Sequence, residues 1–443
     1  MKCVEEESGR FEPLGDRKVA EVRKGYTPFR DGDVIFAKVT PCMENGKAAV
    51  MKGLTNGIGF GSTEFFALRP ADRLDANYLF HFILQSSFRQ QAARNMTGAV
   101  GLRRVPKSYL EQQPIPLPPL PEQRRIVTEI EKQFTRLEAG VAALRRVQAN
   151  LKRYRAAVLK AACEGCLVPI EAELARVGRV PPRGVRPNAK NAASGDSAYN
   201  ATPYETGEQL LQRVLAERRK NWTGRGKYKE PAAPDTAKLG PLPEGWTWVT
   251  VEQLSTRVVD GTHHTPDYVP DGVAFISVKD IRGGMIHFDD CKFISPEAHA
   301  ELSKRCDMER GDVLITKSGT IGRMAVVNTD REFSLFVSVA LIKPVCGIFD
   351  SRFLKLSLEG YIGSINISQD VKGALLKNLH LEDLRVVPLR LPPLTDQTRT
   401  VAEVERRLSV VEELEAVVSA DLQRATRLRQ SILQKAFTGE LNT

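Results

Sequence analysis

Apolar residues recur at spacings of three and four over two long stretches of the chain. After Glu122 they fall at Ile126, Ile130, Phe134, Leu137, Val141, Leu144, Leu151, Tyr154 and Val158. After Thr395 they fall at Val401, Val404, Leu408, Val411, Leu414, Val418, Leu422, Leu428 and Ile432. This spacing lines one face of an α-helix, so each stretch predicts a helix of about 40 residues, ~60 Å long at 1.5 Å per residue. Prolines at 114, 116, 118, 119 and 121 bar helix ahead of the first, and Gly165 with Pro169 closes it. A rod that long must bury its stripe, and each helix is the natural partner of the other. Docking on unrelated surfaces and an intermolecular coiled coil are the alternatives.

Elsewhere the pattern changes. Short β-branched and aromatic runs at Val34–Phe36, Ala274–Val278, Val313–Thr316 and Val337–Ile342 are broken by Gly and Asp turns, which predicts mixed, sheet-containing domains. Residues 169–241 are rich in Pro, Ala, Arg and Asn and read mostly as linker, with one short amphipathic helix over Glu205–Arg219.

The chain also repeats itself. IPLPPLPEQRRIVTEIEKQF from Ile115 matches LRLPPLTDQTRTVAEVERRL from Leu389, with an offset of 274 between Gln123 and Gln397. The same offset relates RAAVLKAACEGCL from Arg155 to RQSILQKAFTGEL from Arg429, so the two helical stretches have equal length. Upstream, RDGDVIFAK (Arg30–Lys38) pairs with ERGDVLITK (Glu309–Lys317), and DANYLFHFIL (Asp75–Leu84) with DSRFLKLSL (Asp350–Leu358). The order is a globular unit and a long helix, twice. The second copy opens with LPEGWTWVTVEQL from Leu242, well ahead of Asp312, whereas Asp33 has only 32 residues before it. The first unit is therefore expected to lack its opening strands.

A length of 443 residues calls for two to four domains, and 42% hydrophobic with 27% charged residues is the balance of a folded protein. The net charge of +10 favours an acidic partner such as nucleic acid. No run approaches the ~18 apolar residues of a membrane helix, and the acidic start MKCVEEESGR is unlike a secretory signal, so a cytoplasmic location is expected. Seven scattered cysteines without framework spacing suit a reducing compartment.

PLPPLPEQRRIV at Pro116, its echo LPPLTDQTRTV at Leu391, RAAVLKAACEG at Arg155, ILQKAFTGEL at Ile432, LPEGW at Leu242, DGTHHTP at Asp260 and GDVLITKSGTIGR at Gly311 together resemble the specificity subunit of type I restriction-modification enzymes. The resemblance covers nearly the whole chain. It implies an α+β protein with two mixed α/β target-recognition domains separated by two long helices that form an antiparallel coiled coil. The domains would be an incomplete first recognition domain (1–117), a central conserved helix (118–168), a linker (169–241), a second recognition domain (242–391) and a C-terminal conserved helix (392–443). It also implies a non-catalytic reader of double-stranded DNA that binds a bipartite target. Each recognition domain would read one half, and helix length would set the unread gap. Two modification (methyltransferase) subunits would dock on it, with ATP-driven restriction subunits able to join. S-adenosylmethionine and ATP would then sit on those partners and not on this chain.

Candidate DNA contacts follow from small, polar, glycine-punctuated loops that can bring backbone N–H groups and cationic tips to phosphates and base edges. In the second copy these are Lys317, Ser318, Thr320 and Arg323, with Thr262 and His263 (and neighbouring His264) of DGTHHTP. In the first copy they are Lys38, Thr40, Asn45 and Lys47, with Arg103 and Arg104 ahead of the first helix. The first loop is longer and carries Pro41 where the second turns on glycine, so different bases would be read. The competing reading is tight turns with solvent-facing Lys and Arg. The block Arg213–Lys229, with seven basic residues and one acidic one, could lie along phosphates or a partner, or be solvated linker.

Neither His spacing nor the CxxC of Cys163 and Cys166, whose repeat positions are Phe437 and Glu440, makes a metal site expected. No GxxxxGK[ST] motor motif or [DNS]PP[FYW] methylase motif occurs. Two rival readings are a coiled-coil adaptor that binds protein and a stand-alone nuclease.

Overall fold

The computed structural model describes residues 3–99, 101–177, 204–223, 226–345, 347–370 and 379–441. It divides into two compact units, residues 1–149 with 415–443, and residues 150–414. Part of the expected linker (178–203) and two residues of the basic block (224–225) lie outside the described residues.

Unit 1 begins with a short helix α1 (Val19–Val22) and five strands: β1 (Thr27–Arg30), β2 (Val34–Ala37), β3 (Ala48–Val50), β4 (Ile58–Gly61) and β5 (Phe65–Leu68). The sheet order is β3-β2-β5, all antiparallel, and β1 pairs separately with β4. β2 reads VIFA because both its faces are covered. Val34 and Phe36 point to helices α2 (Ala76–Ile83), α3 (Ser86–Arg94) and the start of α5, while Ile35 and Ala37 share a second cluster with Val4 and Phe29. α2 starts where it does because the Asp75 carboxylate accepts the N–H groups of Asn77 and Tyr78. After α4 (Lys107–Glu111) the proline run gives way to α5 (Leu120–Cys163), which buries Ile126, Ile130 and Phe134 in the same core.

Inside that core, His81 is 4% exposed, and its Nδ1 has no hydrogen-bond partner among the described residues. Burial, reinforced by the charge of Arg429, pushes its pKa down from 6.5 to about 3. An unfolded chain takes up a proton below the ordinary value, whereas the folded one does not until near 3. The stability of unit 1 is therefore full above the ordinary value and is lost as pH falls through this window. At pH 5 the loss is about 2 kcal/mol. His81→Leu should flatten this acid dependence, as read by urea denaturation between pH 7 and pH 5; an unchanged slope would show that another group sets it.

Unit 2 opens with α6 (Glu171–Val177) and α7 (Gly207–Lys220), the latter started by a Thr206/Gln209 capping box. α7 lies within the stretch assigned to linker, yet Leu210, Leu211 and Val214 are part of the main core of this unit. Next come β6 (Thr247–Thr250), α8 (Val251–Leu254), β7 (Ser255–Asp260), β8 (Val273–Ile276), the hairpin β9 (Ile281–Arg282) and β10 (Met285–Ile286), β11 (Lys292–Ile294) and α9 (Pro296–Ser303). β12 (Val313–Thr316), β13 (Met324–Val326), β14 (Phe333–Leu335), β15 (Val339–Pro344), α10 (Ser351–Asp370), α11 (Leu381–Arg385), β16 (Pro388–Leu391) and α12 (Leu394–Thr438) complete it. The main sheet is β13-β12-β15-β7; β11-β8-β14 forms a second sheet, and β16 pairs with β6.

The long helices contribute an end to each unit. In unit 2, Arg155 faces Glu412 at 3.6 Å and Val158 clusters with Val404, so α5 and α12 run antiparallel. Tyr154, Leu414 and Leu428 of the expected stripes remain exposed, while Ala425 and Ala436 are buried. A two-helix seam is narrower than a 3.6-residue stripe, so residues at its rim stay in water.

The duplication reaches the hydrogen bonds. In unit 1 the fully buried Gln123 accepts the Asp75 N–H and donates to the carbonyls of Arg73 and Pro118. In unit 2 the fully buried Gln397 accepts the Asp350 N–H and donates to the Pro392 carbonyl. Asp33 and Asp312 likewise both accept the N–H three residues upstream and hold a cation from the neighbouring strand, Arg69 or Lys343. Their titration differs. The hydrogen bond from Arg69 holds Asp33 below the usual carboxylate range, whereas burial raises Asp312 to about 6 despite Lys343.

Candidate nucleic-acid interface

In both units the candidate loops hang from the end of the same central strand. The Lys38 N–H donates to the Glu64 carbonyl and its own carbonyl accepts the Val105 N–H; Lys317 does the same with Ser338 and Leu379. Lys38 and Lys317 are thus equivalent in the backbone network.

In unit 2 the loop 316–323 is closed on itself. Buried Thr316 donates from Oγ1 to the Thr320 carbonyl at 2.6 Å and accepts the Arg323 N–H at 2.9 Å. The left-handed backbone at Gly322 (φ +86) suits glycine, and a Cβ there would press on Ile362. Ser318 is half-buried, Thr320 and Arg323 are exposed, and Arg323 donates weakly to the Ile281 carbonyl at 3.5 Å.

DGTHHTP meets this loop through one carboxylate. Asp260 is 2% exposed, and its oxygens lie 2.6 Å from Lys317 Nζ, 2.7 Å from Arg305 Nη2 and 3.4 Å from His263 Nε2. Burial alone would raise its pKa, but the hydrogen bond and charge of Lys317, with His263 and Arg305, outweigh it and hold the carboxyl below its ordinary range. Thr262 caps its own turn, accepting the His264 N–H at 3.2 Å and donating to the His264 carbonyl at 3.0 Å. Any Cβ at Gly261 would collide with the Leu335 carbonyl, which explains the glycine. Lys317, His263 and Arg305 therefore converge on one centre, with Thr262 beside it. Arg305 belongs to no motif, and Asp260 stands in a motif that gives it no evident role.

In unit 1, Thr40 donates its N–H to the Arg103 carbonyl, and Arg104 bridges Val39 and Thr97, which brings Lys38, Thr40, Arg103 and Arg104 together. Arg104 is held bidentate by Glu64 at 2.9 Å, Arg103 lies 3.7 Å from Glu44, and Lys38 stands over the Phe66 ring at 5.5 Å. Asn45 and Lys47 lie apart, against Glu6 of the amino-terminal segment. Ion pairs as exposed as Arg104–Glu64 contribute little, so these cations can exchange a carboxylate for a phosphate at small cost.

The basic block has mixed roles. Arg218 is buried, donating to the Ser255 carbonyl and the Tyr228 hydroxyl, whereas Lys227 and Lys229 line an open cavity of about 510 Å³ with Trp222 and Arg385. Burial pushes the Cys163 thiol up to about 12, away from the thiolate a metal or redox site needs. Among the described residues no group of His, Cys, Asp or Glu is placed to hold a metal, and no helix is long and apolar enough to cross a membrane.

Comparison with known proteins gives a consistent family. The family model described as "Type I restriction modification DNA specificity domain" matches residues 18–143. The chain is 26% identical to the type I restriction enzyme EcoEI specificity subunit of Escherichia coli, over 99% of this chain and 77% of that protein. It is 24% identical to the EcoAI specificity subunit of the same species, over 95% and 74%. A chain from a solved structure of a type I R-M system has the same fold, with a TM-score of 0.63 at 22% identity over 99% of this chain and 90% of that one. The chain thus carries a match to the type I restriction modification DNA specificity domain over residues 18–143, and along nearly its whole length it is similar to type I restriction enzyme specificity subunits and shares their fold.

Proposed function

We propose that this chain is the sequence-reading subunit of a type I restriction-modification complex. It binds double-stranded DNA at a bipartite target and carries two modification (methyltransferase) subunits, to which restriction subunits add. Unit 1 reads one half-site through Lys38, Thr40, Arg103 and Arg104, with Asn45 and Lys47 as further contacts set apart from them beside Glu6. Unit 2 reads the other through Thr262, His263, Lys317, Ser318, Thr320 and Arg323. Methyl transfer and ATP hydrolysis belong to the partners, which hold S-adenosylmethionine and ATP.

The observation that carries this reading is the equivalence of Lys38 and Lys317. One backbone network presents two polar loops of different sequence, as a reader of two different half-sites requires. The test is genome-wide mapping of methylated adenines in cells expressing the chain with its modification subunits, and again after deletion of its gene. A split motif that vanishes on deletion is expected. Unchanged methylation would refute the reading and favour the protein-binding adaptor.

A further inference from the structure

The two units differ in one systematic way. In unit 2 the outer edge of β15 is paired with β7, in the register Ala340↔Asp260 to Lys343↔Arg257. In unit 1, β5 is the counterpart of β15, since Val34 faces Leu68 as Val313 faces Ile342. Among the described residues no strand pairs with the outer edge of β5. β15 is buried throughout, whereas only Phe65 is buried in β5.

Three further positions carry the same imprint. Residues 114–117, the counterparts of β16, form no strand, and Leu117 is 53% exposed where Leu391 is 1% exposed. Asp396 is buried against the Trp246 indole N–H at 3.1 Å, whereas its counterpart Glu122 folds back onto Arg125 at 2.7 Å. Lys317 has the Asp260 carboxylate at 2.6 Å, whereas Lys38 lies over Phe66 near Glu64, which Arg104 already holds. The stretch around Glu6 and Glu7 does not fill this place. Glu6 bridges Lys47 and the Glu7 N–H donates to the Gly46 carbonyl, so it runs on the opposite, β3 side of the sheet.

The geometry points to the outer edge of β5 as a docking slot for one further β-strand, apolar on both faces and ending in a carboxylate that meets Lys38. Ser255–Asp260 shows this chemistry in the equivalent place. Unpaired strand edges accept such segments through main-chain hydrogen bonds, and the end charge fixes register. The inference holds whether or not unit 1 reads DNA.

The probe is a synthetic peptide of residues 242–262 of this chain, added to the full 443-residue protein while amide hydrogen exchange is followed. Slower exchange at Phe66–Leu68, with β15 unchanged, is expected. Lys38→Glu should weaken the effect roughly tenfold or more, and Asp260→Lys in the peptide should restore it. Protection at β15 alone, meaning displacement of the chain's own β7, would overturn the proposal, as would no protection across a full titration. Concentration-dependent protection of β5 before peptide is added would overturn it too, by showing that a second copy takes the edge.

Discussion

Gln397→Ala is expected to destabilise unit 2 by about 3 kcal/mol or more, and Gln123→Ala to do the same to unit 1. Each side chain is fully buried and bonded at both ends of its amide. Truncation strands the backbone N–H that opens α2 or α10 and a carbonyl of the proline run, at about 1 to 3 kcal/mol for each buried group left without a partner. It also opens a cavity that the packed helix cannot close. Glutamate is no substitute, because it cannot donate to the Pro392 carbonyl and would bury a charge. Chemical denaturation with exchange resolved by unit checks both variants. If the loss appears in the other unit, or stays below about 1 kcal/mol, the glutamine is not a clamp between globular core and long helix.

The matched positions of the two glutamines are legible in the sequence, because the repeat keeps both at one offset from their helices, but what their amides bond to is not. β2 and β12 are equally plain, since VIFA and VLIT are continuous apolar runs bounded by turns. The parts that stay hidden depend on long-range partners. α7 is legible as the amphipathic helix over Glu205–Arg219, but its polar surroundings read as linker and hide that Leu210 and Val214 pack against strands that come later in the chain. Asp396 meets Trp246 across 150 residues, and the exposure of Tyr154 and Leu414 depends on where the partner helix crosses. At the candidate interface the loop residues can be nominated from composition. Their organiser cannot, because Arg305 and Lys317 reach Asp260 from separate elements.

Asp260→Asn is expected to cost about 3 kcal/mol in unit 2 and to lower the preference for its half-site roughly 100-fold while leaving non-specific DNA affinity intact or raised. The amide keeps the shape and the pairing of β7 with β15 but removes the charge around which Lys317, Arg305 and His263 are arranged. Lys317 is the sensitive partner, with only 17% of its side chain exposed, so it would be left as a half-buried cation without a carboxylate. Arg305 and His263 are more exposed and would relax into solvent, adding positive charge to the surface but no fixed direction to it. Specific readout needs cationic tips and loop backbone held in register with base edges, whereas non-specific attraction needs only charge, so the two affinities should separate. The measurement is the ratio of target to non-target dissociation constants at fixed salt, for the chain assembled with its modification subunits. A Lys317→Met variant and the double mutant complete a cycle whose coupling should be about 2 kcal/mol. If the ratio survives in Asp260→Asn while the fold is weakened, the cluster is structural support, and base reading lies elsewhere on unit 2.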